Sequence, residues 1–567
     1  GFLLLSTHGG PVLQRERERE RETGKHQPAT HPPTPPHDTM LLLTKLCVRG
    51  TVSRSVLSSP AALASFSSSA PIAPMIINGK KVLSEATRRI PVYNPATQEL
   101  VCEVPETTEA EFNRAVQAAQ DALPSWRATP VQQRARVFLR YQQLIRDNME
   151  KIASLITEEQ GKTLEDAKGD VFRGLEVVEY ACGAASELMG EISYNVGRNV
   201  DTFNIREPLG VCAGICPFNF PAMIPLWMFP MATVAGNTYV LKPSEKDPGA
   251  AIFLAELAQE AGLPDGVLNL VHGSVDTVNR ICDHPAIRAI SFVGGNNAGH
   301  HIYTRGTANG KRVQANLGAK NHGVVLPDAD KNATINALVG AAFGAAGQRC
   351  MALSTVVFVG QSKDWIHEIV EKAKNLRVSG GFEAFADLGP MIDNKALKRA
   401  EELIQSGVDE GASLLLDGRG IKVEKYPKGN FLGPTVLDNV STSMRCYKEE
   451  IFGPVLVALH VDTFDEAIQL VNQNRWGNGT ALFTRNGAAA RKYIHEIEAG
   501  QVGINLPIPV PLPFFSFTGN KESILGETNF YGKAGFKFFT QMKTVTTSWK
   551  DDDLESSVQM TMPILRK

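Results

Sequence analysis

A single cysteine, Cys350, lies in Phe343-Gly344-Ala345-Ala346-Gly347-Gln348-Arg349-Cys350-Met351-Ala352-Leu353-Ser354. The small residues ahead of it let backbone and a bound molecule come close to the sulfur. Arg349 beside it brings positive charge, which favours the thiolate over the thiol. This is what a nucleophilic cysteine needs, and the chemistry is covalent attack on an electrophilic carbon. Taken alone, the same stretch also fits a buried cysteine serving as a small hydrophobe. Other candidates are weaker. Cys212 and Cys216 stand in an apolar stretch with no second ligand pair, so no zinc site and no other metal is expected. Gly161-Lys162-Thr163 looks like the end of a P-loop, but the first glycine of that motif would fall on Ile156, which excludes it.

The elements that must position Cys350 read as alternating strands and helices. Asn237 to Leu241, Val267 to Val271 and Ala289 to Val293 are apolar, strand-like runs, the last ending in Gly294-Gly295. The stretches between them predict helices, one capped by Ser244, running to about Ala261 and stopped by Gly262. Such repeats predict a parallel, helix-covered sheet, the usual scaffold for a dinucleotide. Gly294, Gly295 and Gly299 do not form G-x-G-x-x-G and are a weak signal by themselves. A second α/β region begins near residue 320, with a helix over Lys331 to Phe343 leading into the Cys350 segment. The stretch from Gln361 to Gly411 reads as largely helical.

Upstream, Met75 to Val82 predicts a hairpin with an Asn78-Gly79 turn. Thr108 and Glu111 have capping-box spacing, and the pattern stays helical to about Arg146. The span between Glu207 and Lys242 carries no charge, but Pro217, Pro221, Pro225 and Pro230 argue against a membrane helix. A buried strand, a turn and a packed helix are expected there. Leu506 to Pro513, with every second residue proline, can be neither helix nor central strand.

The chain has 567 residues, 43% hydrophobic and 21% charged, which fits two or three globular domains. A formal net charge of -2 gives no nucleic-acid footprint. Eight cysteines without framework spacing point to a reducing compartment. Residues 1–39, with their alternating Arg-Glu run from Arg15 to Glu22, read as translated upstream sequence and are expected to be disordered. Residues 40–70 contain arginine, are rich in serine, and are free of acidic residues, as expected of a mitochondrial transit peptide. Destination: the matrix.

Five motifs in order resemble the aldehyde dehydrogenase superfamily. They are Pro217-Phe218-Asn219-Phe220-Pro221, Lys242-Pro243-Ser244-Glu245, Phe292-Val293-Gly294, Gly347-Gln348-Arg349-Cys350 and Glu449-Glu450-Ile451-Phe452-Gly453-Pro454. Gly347 to Ser354 and Asn316-Leu317-Gly318-Ala319-Lys320-Asn321-His322 are similar to its CoA-acylating methylmalonate-semialdehyde branch. The resemblance implies an α/β fold with three parts. These are an NAD-binding Rossmann-type domain (75–190 and 208–318), an α/β catalytic domain (319–518) and a small β oligomerisation extension (191–207 and 535–550). A homotetramer, as a dimer of dimers, would follow, with no nucleic-acid or membrane partner.

The resemblance also implies roles. Cys350 would attack the aldehyde, with Asn219 and the backbone N–H of Cys350 donating to the developing oxyanion. Lys242 and Glu245 would hold the adenosine ribose, favouring NAD over NADP. Cys216, Phe218, Lys246 and Gly295 would line the cofactor cleft, and Glu450 with Phe452 would hold the nicotinamide ribose. Gly295, Asn297 and His300 stand where serine, lysine and glutamate are more usual for the branch. Arg173 and Arg349 would clamp a substrate carboxylate.

One departure bears on the reaction. Hydrolytic members carry a glutamate where this chain has Asn316, and that glutamate is the base that activates water. An amide takes no proton, so the acyl-enzyme should wait for a thiol, with CoA as co-substrate. The resemblance then implies oxidation of malonate or methylmalonate semialdehyde to acetyl-CoA or propionyl-CoA with loss of CO2, in valine and pyrimidine (thymine) breakdown. A hydrolytic enzyme of the same fold, using another base, and a non-catalytic member stay as alternatives.

Overall fold

The computed structural model describes residues 70–549. The readings of residues 1–39 and 40–70 fall outside that range, apart from residue 70.

The parallel core of the first sheet is β1 (Val211–Ile215), β2 (Thr238–Lys242), β3 (Leu268–Leu270), β4 (Ile287–Val293) and β5 (Arg312–Asn316). In space they run β5-β4-β1-β2-β3, with Ile524–Leu525 closing one edge and the hairpin Met75–Ile77/Lys80–Val82 the other. The strand order reverses direction at β1, and ligands on such sheets sit beyond the C-terminal strand ends at that reversal. All residues of β1 and β2 are buried, as both faces are covered by helices.

The second sheet holds β6 (His322–Val325), β7 (Thr355–Val359), β8 (Thr435–Asp438), β9 (Val455–Val461), β10 (Gly479–Phe483) and β11 (Gln501–Ile504). Its order is β8-β9-β7-β6-β10-β11, all parallel, with Ser413–Leu416 antiparallel at the β8 edge. Ile192–Gly197, Val200–Pro208 and Thr540–Ser548 form a separate antiparallel sheet.

Local chemistry explains where the elements begin and stop. Asn78 and Gly79 both have positive φ, as their two-residue turn demands. Thr108 and Glu111 make a complete capping box at the start of the helix Glu109–Ala128. That helix does not run on to Arg146. Pro130 ends it, because the residue before a proline is pushed out of helical backbone, and a second helix spans Val131–Asp147. The uncharged stretch forms β1, a proline-rich turn and the wholly buried helix Met223–Val234.

Three other expectations needed correction. The helix after β2 starts at Gly249, not near Ser244, since Pro248 bars helical backbone at Asp247 and the Ser244 hydroxyl accepts instead from Lys246 N–H at 3.0 Å. Between Ile366–Lys374 and Asn394–Asp409 the chain is irregular, broken by Gly380-Gly381 and Gly389-Pro390. Residues Gly532–Phe539 are helical, so the last strand begins only at Thr540. Among the described residues no helix is long and apolar enough to cross a membrane.

Candidate active site

The C-terminal ends of the first sheet carry most of the residues singled out above. β1 runs into Cys216, Pro217, Phe218 and Asn219. β2 ends on Lys242, β4 leads to Gly294-Gly295, and β5 ends on Asn316. The Cys350 segment comes from the second α/β region, between the helix Lys331–Phe343 and β7.

That segment is strained. Ala345 and Ala346 have φ of 51° and 52°, and Gly347 has 69°. Left-handed backbone at two consecutive alanines costs energy and persists only where the surroundings dictate it. At Gly347 the reason for glycine is steric: a Cβ would lie 2.0 Å from the carbonyl oxygen of Gly453. The Cys350 loop is thereby pressed against Phe452-Gly453-Pro454, where Phe452 also has positive φ (56°). Phe452 meets Phe218 edge to face, with ring centroids 5.9 Å apart, so the two α/β regions touch across the cleft.

Asn219 is buried, and its Nδ2 donates to the carbonyl of Gln348 at 3.1 Å. Its own carbonyl accepts from Lys162 Nζ at 2.6 Å. Lys162 pairs in turn with Asp170 at 3.1 Å, neither side chain having any exposed surface. Asp170 also accepts the Met223 N–H at 2.8 Å, tying the helix Met223–Val234 to the same point. The Gly161-Lys162-Thr163 stretch, rejected as a phosphate loop, thus anchors the Asn219 turn. Removing one partner of such a pair leaves a bare buried charge. Lys162→Met is expected to lower stability by about 3–5 kcal/mol, read as a drop in melting temperature.

The electrostatics at Cys350 differ from the sequence expectation. Burial, and then the Glu450 carboxylate, push the Cys350 thiol up to about 12; Arg349 opposes them only weakly. Arg349 is also paired, its Nη2 donating to Asp166. The guanidinium lies over Gly344, where a Cβ would meet Nη1 at 2.5 Å. Glu450 is itself pushed up to about 7 by burial, and its Oε1 accepts the Ala319 N–H at 3.1 Å. The sign of its influence gives a test: a neutral residue at 450 withdraws the charge that disfavours the thiolate. Glu450→Gln is expected to shift the alkylation pH profile of Cys350, recorded without cofactor, towards lower pH.

Arg173 Nη1 pairs with Glu176 at 2.9 Å, and the arginine side chain remains 42% exposed. Burial pushes the phenol of Tyr531 well up, with Arg173 opposing and Cys350 and Glu176 adding to the shift. Tyr531 has φ of 39° and packs on Trp227 with centroids 4.9 Å apart. No motif pointed to Tyr531 or Asp166; both reach the site only through the tertiary fold.

On the cofactor side, Lys242 is buried and its Nζ donates to the Pro243 and Gly273 carbonyls at 2.7 and 2.8 Å. Glu245 is held below the usual carboxylate range, its burial outweighed by Lys242 and a backbone hydrogen bond. A side chain built on Gly295 would meet no atom within 4 Å, so space is open beside the first turn of the helix Asn296–Ala308. An ionised carboxylate for ribose hydroxyls and a free helix N-terminus for phosphates fit a dinucleotide. Lys246 lies 4.9 Å over the Phe218 ring and is paired with Asp393 at 2.7 Å. Cys216 is buried with its sulfur 3.8 Å from that of Met228. No cluster of three or more potential metal ligands occurs among the described residues.

Residues 82–545 match the model of the aldehyde dehydrogenase family. The chain belongs to that family. It is 63% identical over 497 residues to an Arabidopsis thaliana protein named methylmalonate-semialdehyde dehydrogenase [acylating], mitochondrial, covering 88% of this chain and 82% of the relative. A Homo sapiens relative named methylmalonate-semialdehyde/malonate-semialdehyde dehydrogenase [acylating], mitochondrial, is 59% identical over 91% of this chain and 97% of its own. Among solved structures, a Sinorhizobium meliloti protein crystallised with NAD superimposes with a TM-score of 0.85 at 43% identity, covering 86% of this chain and 99% of that one.

Proposed function

We propose that this aldehyde dehydrogenase oxidises methylmalonate and malonate semialdehyde with NAD and passes the acyl group to CoA, losing the β-carboxylate as CO2. The observation that carries the reading is the amide at Asn316, buried at the end of β5 where the family's hydrolytic members place a water-activating base. The names of the two curated relatives and the NAD-bound neighbour support it.

In this reading Cys350 sulfur adds to the aldehyde carbon, and the oxygen takes up charge facing Asn219 Nδ2 and the Cys350 N–H. Lys162 fixes the Asn219 turn so that this donor is pre-aimed. Lys242 and Glu245 hold the adenosine end and Glu450 the nicotinamide end of NAD, which supplies the hydride acceptor. Arg173 and Arg349 face the substrate carboxylate. A guanidinium has five donors, so the pairs with Glu176 and Asp166 leave others free. Cys350 is left as a thioester that CoA thiol resolves.

The mitochondrial names of the relatives support the same compartment here, and the acid-free 40–70 segment supports the matrix. A homotetramer would use the antiparallel three-stranded sheet, on which Ile192, Tyr194 and Met542 are exposed.

A hydrolytic reading has one observation in its favour. Glu450, with its pKa near 7 and its charge felt by Cys350, could activate water. NADH formation from malonate semialdehyde, with and without CoA, separates the two. A single burst that becomes sustained turnover on adding CoA supports acyl transfer. Equal sustained rates assign the enzyme to hydrolysis.

A further inference from the structure

Asn478, just ahead of β10, is a buried residue that no motif singles out. Its Nδ2 donates to the Cys350 carbonyl at 3.0 Å and approaches the Met351 sulfur at 3.1 Å. Its Oδ1 accepts from Asn316 Nδ2 at 3.3 Å. Asn321 donates to the same Cys350 carbonyl at 2.8 Å and to that of Ala352 at 3.0 Å, so the peptide after Cys350 is held by two buried amides.

The polarity of this chain of amides follows from its end. A backbone carbonyl can only accept, so Asn478 must turn its NH2 to Cys350 and its oxygen to Asn316. Asn316 must then spend its NH2 on Asn478. What is left is Asn316 Oδ1, a fully buried acceptor with no protein partner. A buried acceptor without a donor is costly unless something supplies one.

We propose that Asn478 is a positioning residue for acyl transfer: it locks the Asn316 amide so that its oxygen receives the S–H of the incoming thiol. The proposal rests on the acyl-transfer reading above. In the step itself the thiol sulfur bonds to the acyl carbon, the bond from that carbon to Cys350 sulfur breaks, and the thiol proton ends on Cys350. Asn316 holds the S–H in line without taking the proton, and the departing Cys350 sulfur is the proton's destination. The part-buried, alkaline-shifted thiol makes Cys350 suited to keep it.

The test is a double-mutant cycle on the full-length enzyme with malonate semialdehyde, NAD and CoA. Burst stoichiometry reports acyl-enzyme formation, and the CoA-dependent release rate reports transfer. Asn478→Leu is expected to keep one NADH per active site in the burst while slowing CoA-dependent release roughly tenfold, the size of one neutral hydrogen bond. In an Asn316→Leu background the same substitution should slow release no further. Asn478→Ser, smaller and still polar, carries the same expectation should the leucine variant not fold. Additive losses in the double variant would show that Asn478 acts on the Cys350 loop alone and overturn the proposal, as would an unchanged release rate. Absence of a burst in the unmodified enzyme would instead count against the acyl-transfer reading itself.

Discussion

Cys350→Ser is expected to remove the NADH burst and lower turnover by roughly 10⁴-fold or more, the scale seen when a covalent nucleophile is deleted. Serine fills nearly the same space, and the strain at Ala345 and Ala346 precedes the substituted atom, so folding and thermal stability should be unchanged. A hydroxyl is a far weaker nucleophile than a thiol unless a base activates it. Here the charge that acts most strongly on position 350 is Glu450, a carboxylate itself pushed up to about 7 by burial. Loss of activity with an intact melting transition would assign the chemistry to the sulfur. A variant that retained the burst would move the nucleophile elsewhere.

The second large effect is a gain. Asn316→Glu is expected to raise CoA-independent turnover by about 10²-fold, the lower end of what a general base contributes. The new carboxylate would be buried and would face the Asn478 oxygen that now accepts from the Asn316 amide. Burial and that acceptor both disfavour its ionised form, so CoA-independent turnover should rise with pH as the base deprotonates. The burst should give way to a steady rate without CoA. No gain at any pH would mean that something other than the missing base restrains hydrolysis.

Much of the frame was legible from local rules. The Asn78-Gly79 turn, the Thr108 capping box and the helix Lys331–Phe343 followed from residue chemistry confined to a few positions. The errors arose where one local signal outranked another. Ser244 looked like a helix cap, but Pro248 four residues later controlled where the helix could begin. Composition suggested helix across 361–411, yet paired glycines and Gly389-Pro390 broke it.

At the site, the motifs named the residues that would touch substrate or cofactor but not those that hold them. Lys162 and Asp170 meet Asn219 and Met223 from 57 and 53 residues away in sequence. Asn478 reaches Cys350 across 128 residues. No spacing pattern encodes such contacts; they exist only once both sheets have formed. Arg349 favours the Cys350 thiolate as its place in sequence suggests, but that adjacency gave no hint of the burial and the Glu450 carboxylate that outweigh it, nor of Asp166 on its other side.

The most direct test of the acyl-enzyme is its mass. Mixing the protein with methylmalonate semialdehyde and NAD, without CoA, should leave a propionyl adduct on the peptide containing Cys350. Added CoA should discharge that adduct as propionyl-CoA. An unmodified Cys350 peptide, with free acid accumulating in the absence of CoA, would contradict the account.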